Sequence, residues 1–518
     1  MENLIDEFVN VRELNCMTLS KLLEGITVTK MVEERYGQML MTNDLEVHSV
    51  QYDSRKVQQN DMFVAIRGTS SDGNRFIQDA VGRGAIVVIT DNDVATPDSL
   101  FMHSSVVKIV VPDARIALAR LASTYFDNPS RRLTMVGVTG TNGKTTTTHL
   151  VKSLLEANGK LTGLLGTIEY VIGDRRIPAT HTTPESLELN HLLAQMVEAG
   201  CTAAVMEISS HALHQHRVDG IGFDLAVFTN LTQDHLDYHG SIEEYFKAKK
   251  ILFDHLSSDA TAIINTDDEW GRKIYESVPG RKISYGIVSS AEVRARDLSL
   301  AFSGTNFTIE CDREHVEIQL PMVGKFNVYN TLAAFAAGRT LGIASHTMQR
   351  ALHTLPRVPG RFEQIESPDG WTAIIDYAHT PDALLNALTA VRSILGANGH
   401  GRVITVFGCG GNRDSQKRPI MGRIASEQSD ITIVTSDNPR HENPETIIDE
   451  VMAGIIKGAP VYRQADRKKA IGMALDLARS GDAVLIAGKG HEDYQVVGDR
   501  KIHFSDREIV GESLCAHP

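Results

Sequence analysis

The 518-residue chain has only five cysteines, Cys16, Cys201, Cys311, Cys409 and Cys515, and no two of them form a CxxC pair. Cysteines so few and so scattered argue against a disulfide framework or a zinc site and fit a reducing compartment. Long apolar runs are missing as well. Nothing approaches the ~18 residues of a membrane span, and the N-terminus, MENLIDEFVN, has no apolar signal-peptide core, so membrane insertion is not expected and a cytoplasmic protein is. Basic tracts are also absent. With 52 Lys and Arg against 65 Asp and Glu, the formal net charge is −13, and no run of cations with interleaved aromatics argues for a nucleic-acid partner. Any anionic ligand must therefore be held by local devices.

At ~100–200 residues per domain the length predicts about three domains. Two clusters mark the borders: Tyr-Phe-Asp-Asn-Pro-Ser at 125–130, and Leu-Pro-Arg-Val-Pro-Gly-Arg at 355–361, which stops the helical pattern of 327–341. The expectation is an N-terminal domain over 1–130, a central one over 131–356 and a C-terminal one over 357–518. Apolar runs at 62–66, 85–90 and 106–111 predict a small α/β domain first. In the centre, runs at 133–138, 203–208, 225–231 and 260–265 each lead through a polar loop into helical periodicity, and the theme returns at 371–376, 402–408, 431–436 and 483–487. The predicted class is α/β with mainly parallel, doubly wound sheets. Ligands then gather at the carboxyl ends of the strands.

One such end carries Val-Gly-Val-Thr-Gly-Thr-Asn-Gly-Lys-Thr-Thr-Thr-Thr over 136–148. Gly140 and Gly143 let backbone N–H groups approach phosphates, Lys144 supplies a charge, and the Thr145 hydroxyl can join a magnesium ion. Val138 stands where the common phosphate loop has its first glycine, which implies a shortened loop. Glu207 closes a buried strand, and His235 lies with two aspartates in Thr-Gln-Asp-His-Leu-Asp-Tyr-His over 232–239. A lone histidine among 20 is more often surface or hydrogen-bonded core than a ligand. Lys249, flanked by Lys247 and Lys250 on an amphipathic helix, reads as part of a solvated face.

Together these segments resemble the Mur ligase family. The likeness runs through nearly the whole chain after about residue 45: DSRKV and DMFVAIRG; TGTNGKTT, HTTP, MEISSHALHQHRV and DHLDYHG; then GRFE, DYAHTP, FGCGGNRD, DNPR and GKGHEDYQ. It implies an N-terminal domain binding a UDP-linked precursor, a central P-loop ATPase, and a C-terminal Rossmann-like domain receiving an amino acid. The implied precursor contacts are Tyr52, Ser54, Thr69, Ser70, Ser71, Thr182, Thr183, Ser209, Gln215 and Arg217. The ATP site falls on Gly140, Thr141, Asn142, Gly143, Lys144, Thr145 and Thr146, with Asn327 and Arg361. Magnesium ligands fall on Thr145, Glu207, His235 and Lys249, the last as a carbamate, since an ammonium cannot ligate a cation and a carbamate offers two hard oxygens. Catalysis would rest on Lys144, Lys249, His235 and Glu207. Two positions depart from the pattern: His181 replaces Asn before Thr-Thr-Pro, and Asn412 replaces Asp.

For the third domain, DNPR resembles the diaminopimelate-adding members of the family. Arg413, Asp437, Asn438, Pro439, Arg440, Gly488 and Glu492 leave three predicted strand ends and should converge on one crevice. There Arg440 and Arg413 would take a carboxylate, while Glu492, with Asp437 or Asn438, would take an ammonium. The implied partners are ATP, UDP-N-acetylmuramoyl-L-alanyl-D-glutamate and meso-diaminopimelate, the implied process peptidoglycan synthesis, and the expected state a monomer. Three other readings stay open at this point. The amino acid could be L-lysine, the chain could be a folylpolyglutamate-synthase-like ligase, or it could be an ATP-driven switch whose output is a protein contact.

Overall fold

The computed structural model describes residues 16–32, 34–35, 38–39, 45–68, 71–101, 106–355, 360–398 and 401–516. The chain divides into two compact units, one of Met1–Gly137, Lys160–Leu225 and Asp254–Ala260, the other of Val138–Gly159, Ala226–Phe253 and Thr261–Pro518.

The first unit opens on a five-stranded sheet ordered Lys30–Val32, Val107–Val110, Ala85–Thr90, Asp61–Ala65, Val50–Gln51. The first pair is antiparallel and the rest are parallel. Its inner strands are buried on both faces, which accounts for the unbroken apolar run Ala-Ile-Val-Val-Ile-Thr at Ala85–Thr90. Helix Ala114–Tyr125 starts where the Asp113 carboxylate accepts from the backbone N–H of Arg115 and Ile116. Its Leu118, Leu121 and Tyr125 pack with Val64, Val87 and Ile109 in one core. Further along, Ala203–Glu207 pairs in parallel with Thr162–Leu165, which continues antiparallel into Glu169–Ile172 and Arg175–Pro178.

In the second unit Thr261–Asn265, Arg281–Gly286 and Val293–Ala301 run parallel, and Gly304–Cys311 and Glu314–Leu320 add antiparallel strands beyond them. Helix Lys325–Thr340 is apolar or small at most positions and buried nearly all round, as its run of alanines requires. Downstream lies a six-stranded sheet ordered Glu363–Glu366, Thr372–Asp376, Ala483–Ala487, Val403–Phe407, Ile431–Val434, Val461–Arg463. All its pairs are parallel except the first. This order brings the ends of three strands, Ala483–Ala487, Val403–Phe407 and Ile431–Val434, side by side although they are far apart in sequence. The expected mainly parallel α/β class is what the chain adopts, with antiparallel additions at sheet edges.

Candidate active site

The phosphate loop joins strand Thr134–Thr139 to helix Lys144–Ala157. Gly140 has φ +147°, and a Cβ there would sit 1.9 Å from Thr229 Oγ1; Gly143 has φ +87°, and a Cβ would sit 2.3 Å from Asn330 Oδ1. Both glycines are required by backbone and by space. The loop is laced to the segment after the next strand: the Thr141 N–H donates to Asn230 O at 2.8 Å, the Asn142 N–H to Asn230 Oδ1 at 2.9 Å, and the Thr229 hydroxyl to Asn142 O at 2.6 Å. Lys144 folds over it, its Nζ donating to Gly140 O at 3.0 Å and Thr141 O at 2.9 Å. Arg361 Nη2 donates to Thr145 Oγ1 at 3.0 Å, and Asn142 Nδ2 to Asp382 Oδ2 at 2.9 Å. Thr146 is buried in the first turn. Asn327 is buried too, donating to Val323 O and accepting from Asn330. Asn330, rather than Asn327, is the residue against the loop.

Lys249 corrects the solvated-face expectation. Helix Ile242–Asp254 turns Tyr245, Ala248, Lys249, Leu252 and Phe253 inward, because a period of 3.6 puts 245, 249 and 252 on one face. Lys249 is 1% exposed, whereas the Lys247 side chain is 67% exposed and pairs with Glu244. The Lys249 Nζ donates to Gly140 O at 2.8 Å and lies 4.6 Å from the Tyr245 ring centre. Burial pushes its amine well below the usual lysine range, the Lys144 charge pushes the same way, and Asp234 opposes. His235 has φ +53°, and its Nε2 is 3.3 Å from Asp234 Oδ2. Burial would raise the Asp234 carboxyl, yet His235, His379, Lys417 and Lys144 hold it at about 2. The His379 Nδ1 stands 2.8 Å from Tyr377 O. A carbonyl only accepts, so Nδ1 carries the proton; burial, with Lys417, lowers this imidazole to about 4 and keeps it neutral.

Glu207 belongs to the first unit, whereas Thr145, His235 and Lys249 belong to the second. It ends Ala203–Glu207 fully buried, one oxygen accepting from the Thr167 N–H at 2.8 Å and the other from the Thr167 hydroxyl at 3.1 Å. The Thr182 hydroxyl is 3.1 Å from that of Thr167, and the Thr183 hydroxyl donates to Glu207 O at 2.8 Å while accepting from the Ser209 N–H at 3.0 Å. Arg217 donates to Thr183 O at 3.0 Å and to Gln215 Oε1 at 2.7 Å. Five of the expected precursor contacts are thus linked into one network with Glu207, Thr182 through Thr167 and the other four through the Thr183 bond to the Glu207 main-chain oxygen. Tyr52 sits apart, its hydroxyl donating to Glu188 Oε1 at 2.8 Å. Ser54 is buried, Ser71 O accepts from the Gly68 N–H, and Thr69 and Ser70 lie outside the described residues. Among the described residues no three His, Cys, Asp or Glu side chains gather as a metal cluster.

The three loops of the C-terminal sheet do converge. Asn438 Nδ2 donates to Glu492 Oε2 at 2.9 Å, Arg440 Nη1 donates to Gly411 O at 2.9 Å, and a Cβ on Gly488 would stand 2.7 Å from Asp437 Oδ2. Pro439 O lies against Gly411, where a Cβ would approach within 1.9 Å. Arg440 has φ +51°, held by its N–H on Val496 O and its carbonyl on the Gly498 N–H. Burial lowers its guanidinium, and the facing Arg413 adds to that. Burial raises the Asp437 carboxyl against the attraction of Lys489. Asn412 has φ +52°, which asparagine tolerates, and its side chain accepts from the His441 N–H. Sequence reasoning missed Lys489, buried and bonded to Glu492 Oε2 at 3.0 Å, along with Asp382, Asn330, His379 and Lys417. Lys489 stood in the quoted GKGHE stretch. His379 stood in the quoted DYAHTP stretch, and Asp382, Asn330 and Lys417 had no spacing signal, because Asn142, the phosphate loop and Asp234, which they face, are distant in sequence.

Three family descriptions match the chain: Mur ligase family, catalytic domain, over residues 46–126; Mur ligase middle domain over 138–338; and Mur ligase, glutamate ligase domain, over 360–490. The UDP-N-acetylmuramoyl-L-alanyl-D-glutamate--2,6-diaminopimelate ligase of Gloeobacter violaceus is 47% identical over 476 residues, 91% of this chain and 94% of that protein. Its namesake from Solibacter usitatus is 42% identical over 501 residues, 96% of this chain and 98% of its own. A solved structure of a ligase bearing the same name superposes with a TM-score of 0.66 at 30% identity, covering 93% of this chain and 98% of that one. The folylpolyglutamate synthase of Mycobacterium tuberculosis, solved with ADP and AMPPCP, reaches 0.59 at 19% identity over 72% of this chain and 92% of its own. That likeness is one of fold alone.

Proposed function

This chain belongs to the Mur ligase family, and on that premise we propose that it joins meso-2,6-diaminopimelate to UDP-N-acetylmuramoyl-L-alanyl-D-glutamate with ATP as co-substrate, in peptidoglycan precursor synthesis. The observation that carries the reading is the convergence of Arg440, Asn438 and Glu492 at neighbouring strand ends, in a chain 42% to 47% identical to ligases of that name. Diaminopimelate differs from lysine by a second amino-acid head. Arg440 and Arg413 supply cations for its carboxylate, and Glu492 with Asp437 supplies anions for its ammonium.

The γ-phosphoryl group of ATP passes to the D-glutamate side-chain carboxylate, giving an acyl phosphate that the amine of diaminopimelate attacks with release of phosphate. Two anions meet in the first step, so the protein's task is alignment and charge neutralisation. Lys144 reaches the phosphates by leaving the loop carbonyls it now covers, and Arg361, bonded to Thr145, adds a second positive group. Thr182, Thr183, Ser209, Gln215 and Arg217 hold the precursor together with Tyr52, Ser54, Thr69, Ser70 and Ser71. The residues that would hold magnesium are the Thr145 hydroxyl, the His235 imidazole and a Lys249 carbamate in one unit and the Glu207 carboxylate in the other; their oxygens suit this hard cation, which would neutralise phosphate charge when bound. Burial keeps the Lys249 amine neutral enough to add carbon dioxide and lose a proton.

The same reading divides the chain at 1–130, 131–356 and 357–518 into precursor, ATP and amino-acid domains, in a cytoplasmic monomer. No described helix is long and apolar enough to cross a membrane. Phosphate release from ATP tests the assignment: it should require precursor and diaminopimelate together. Steady hydrolysis indifferent to both would make the chain a nucleotide switch.

A further inference from the structure

Lys417 is the first residue of helix Lys417–Gln428, and its side chain is 7% exposed. Its nearest carboxylate oxygen is Asp234 Oδ1 at 3.9 Å, beyond hydrogen-bond reach, and its Nζ donates no hydrogen bond among the described residues. An ammonium withdrawn from water is unfavourable unless a close, hydrogen-bonded counter-charge takes the water's place. Asp234 does not serve alone, because it is shared with His235 Nε2 at 3.3 Å and also faces Lys144 and His379. Around this carboxylate stand two lysines, with Arg361 on Thr145 of the same phosphate loop. Lys417, buried, and Lys144, half-buried, thus face one carboxylate that also meets His235.

The position of Lys417 is fixed by its neighbour. Arg418 donates to Glu442 and to Glu450 at 2.9 Å and to Gly410 O at 3.1 Å, anchoring the helix start beside the loop that carries Arg413. The partial positive charge of that helix N-terminus adds to the ammonium. One end of the amino-acid domain therefore delivers a cation to the carboxylate that faces Lys144.

We propose that Lys417 is a catalytic residue whose ammonium binds the phosphoryl group during transfer. The inference rests on the ligase reading above. In the first step the bond between the β,γ-bridging oxygen and the γ-phosphorus breaks as the carboxylate oxygen bonds that phosphorus. In the second, the amine nitrogen bonds the acyl carbon, the bond from that carbon to the phosphate oxygen breaks, and the departing phosphate carries off the proton the amine loses. Lys417 moves from Asp234 to the phosphoryl oxygens and returns to the carboxylate when phosphate departs.

The test compares wild type with Lys417→Met and Lys417→Arg, in buffer containing magnesium. Lys417→Met should lose about a hundredfold in kcat with KM for precursor and diaminopimelate nearly unchanged. It should bind the non-hydrolysable triphosphate AMP-PNP about tenfold more weakly while ADP affinity stays at the wild-type value. Lys417→Arg should recover part of the turnover. Near wild-type kcat in Lys417→Met, or equal losses for ADP and AMP-PNP, would overturn the proposal and leave Lys417 a structural partner of Asp234. Should the Met variant fail to fold, Lys417→Gln carries the same comparison, since its amide can still bond the carboxylate. Wild type must show phosphate release dependent on both co-substrates. Its failure to do so would remove the ligase reading, and this inference with it, whatever the variants show.

Discussion

The two lysines at the phosphate loop, Lys144 and Lys249, differ in how openly the sequence displayed them. Lys144 was readable because Gly140 and Gly143 frame it at the spacing a phosphate loop needs. Its ammonium rests on two loop carbonyls, Gly140 O and Thr141 O. Lys144→Ala should leave melting behaviour intact and cost about 3 kcal/mol of transition-state stabilisation, roughly a hundredfold in kcat/KM. Normal turnover in that variant would show that the loop does not hold the reacting phosphates. Lys249 read from its neighbours as one of three solvated lysines. Only the family resemblance singled it out, because helical phase decides burial and charge composition does not. Lys249→Ala should abolish ligation while Lys247→Ala and Lys250→Ala retain most of it, and a small added carboxylate should restore part of the lost rate. Equal tolerance at all three positions would return Lys249 to a structural role, bonded to Gly140 O.

At the level of elements, strands buried on both faces were legible as apolar runs, and Ala85–Thr90 and Ala483–Ala487 fall where the runs do. Val293–Ala301, Gly304–Cys311 and Glu314–Leu320 were not anticipated. Their inner and outer residues alternate, as the burial pattern of Glu314–Leu320 shows, and a half-solvated hairpin strand yields no continuous apolar stretch. The convergence of the three C-terminal loops followed from strand ends alone, whereas the buried pair that braces them did not. Arg467, on helix Arg467–Leu477, makes two bonds to Asp506 of helix Asp506–Ala516 and one to Ala487 O, the residue before Gly488. Both partners are 0% exposed over their side chains. Asp506→Asn would leave a buried guanidinium without its charge, so it should lower unfolding stability by about 3 kcal/mol and loosen the Gly488–Glu492 turn. Denaturant unfolding measures the first effect; a shift under 1 kcal/mol, on the order of an exposed ion pair, would contradict it.

For the whole molecule, the sequence displayed the parts of the site more clearly than their joining. Asn142 meets Asp382 across 240 positions and Arg361 meets Thr145 across 216, and no periodicity or motif spacing encodes contacts so distant. The family resemblance supplied the order of the segments, while the fold supplied Asp382, Asn330 and Lys417. The central claim concerns the amino acid that the assembled molecule selects, and a competition reads it directly. Purified wild-type protein is given ATP, the UDP-linked dipeptide precursor and equal concentrations of meso-diaminopimelate and L-lysine, and the ligated product is weighed by mass spectrometry. A desolvated charged contact discriminates by about 2–5 kcal/mol, so the product should carry diaminopimelate almost alone. A product containing lysine in comparable amount would contradict the account.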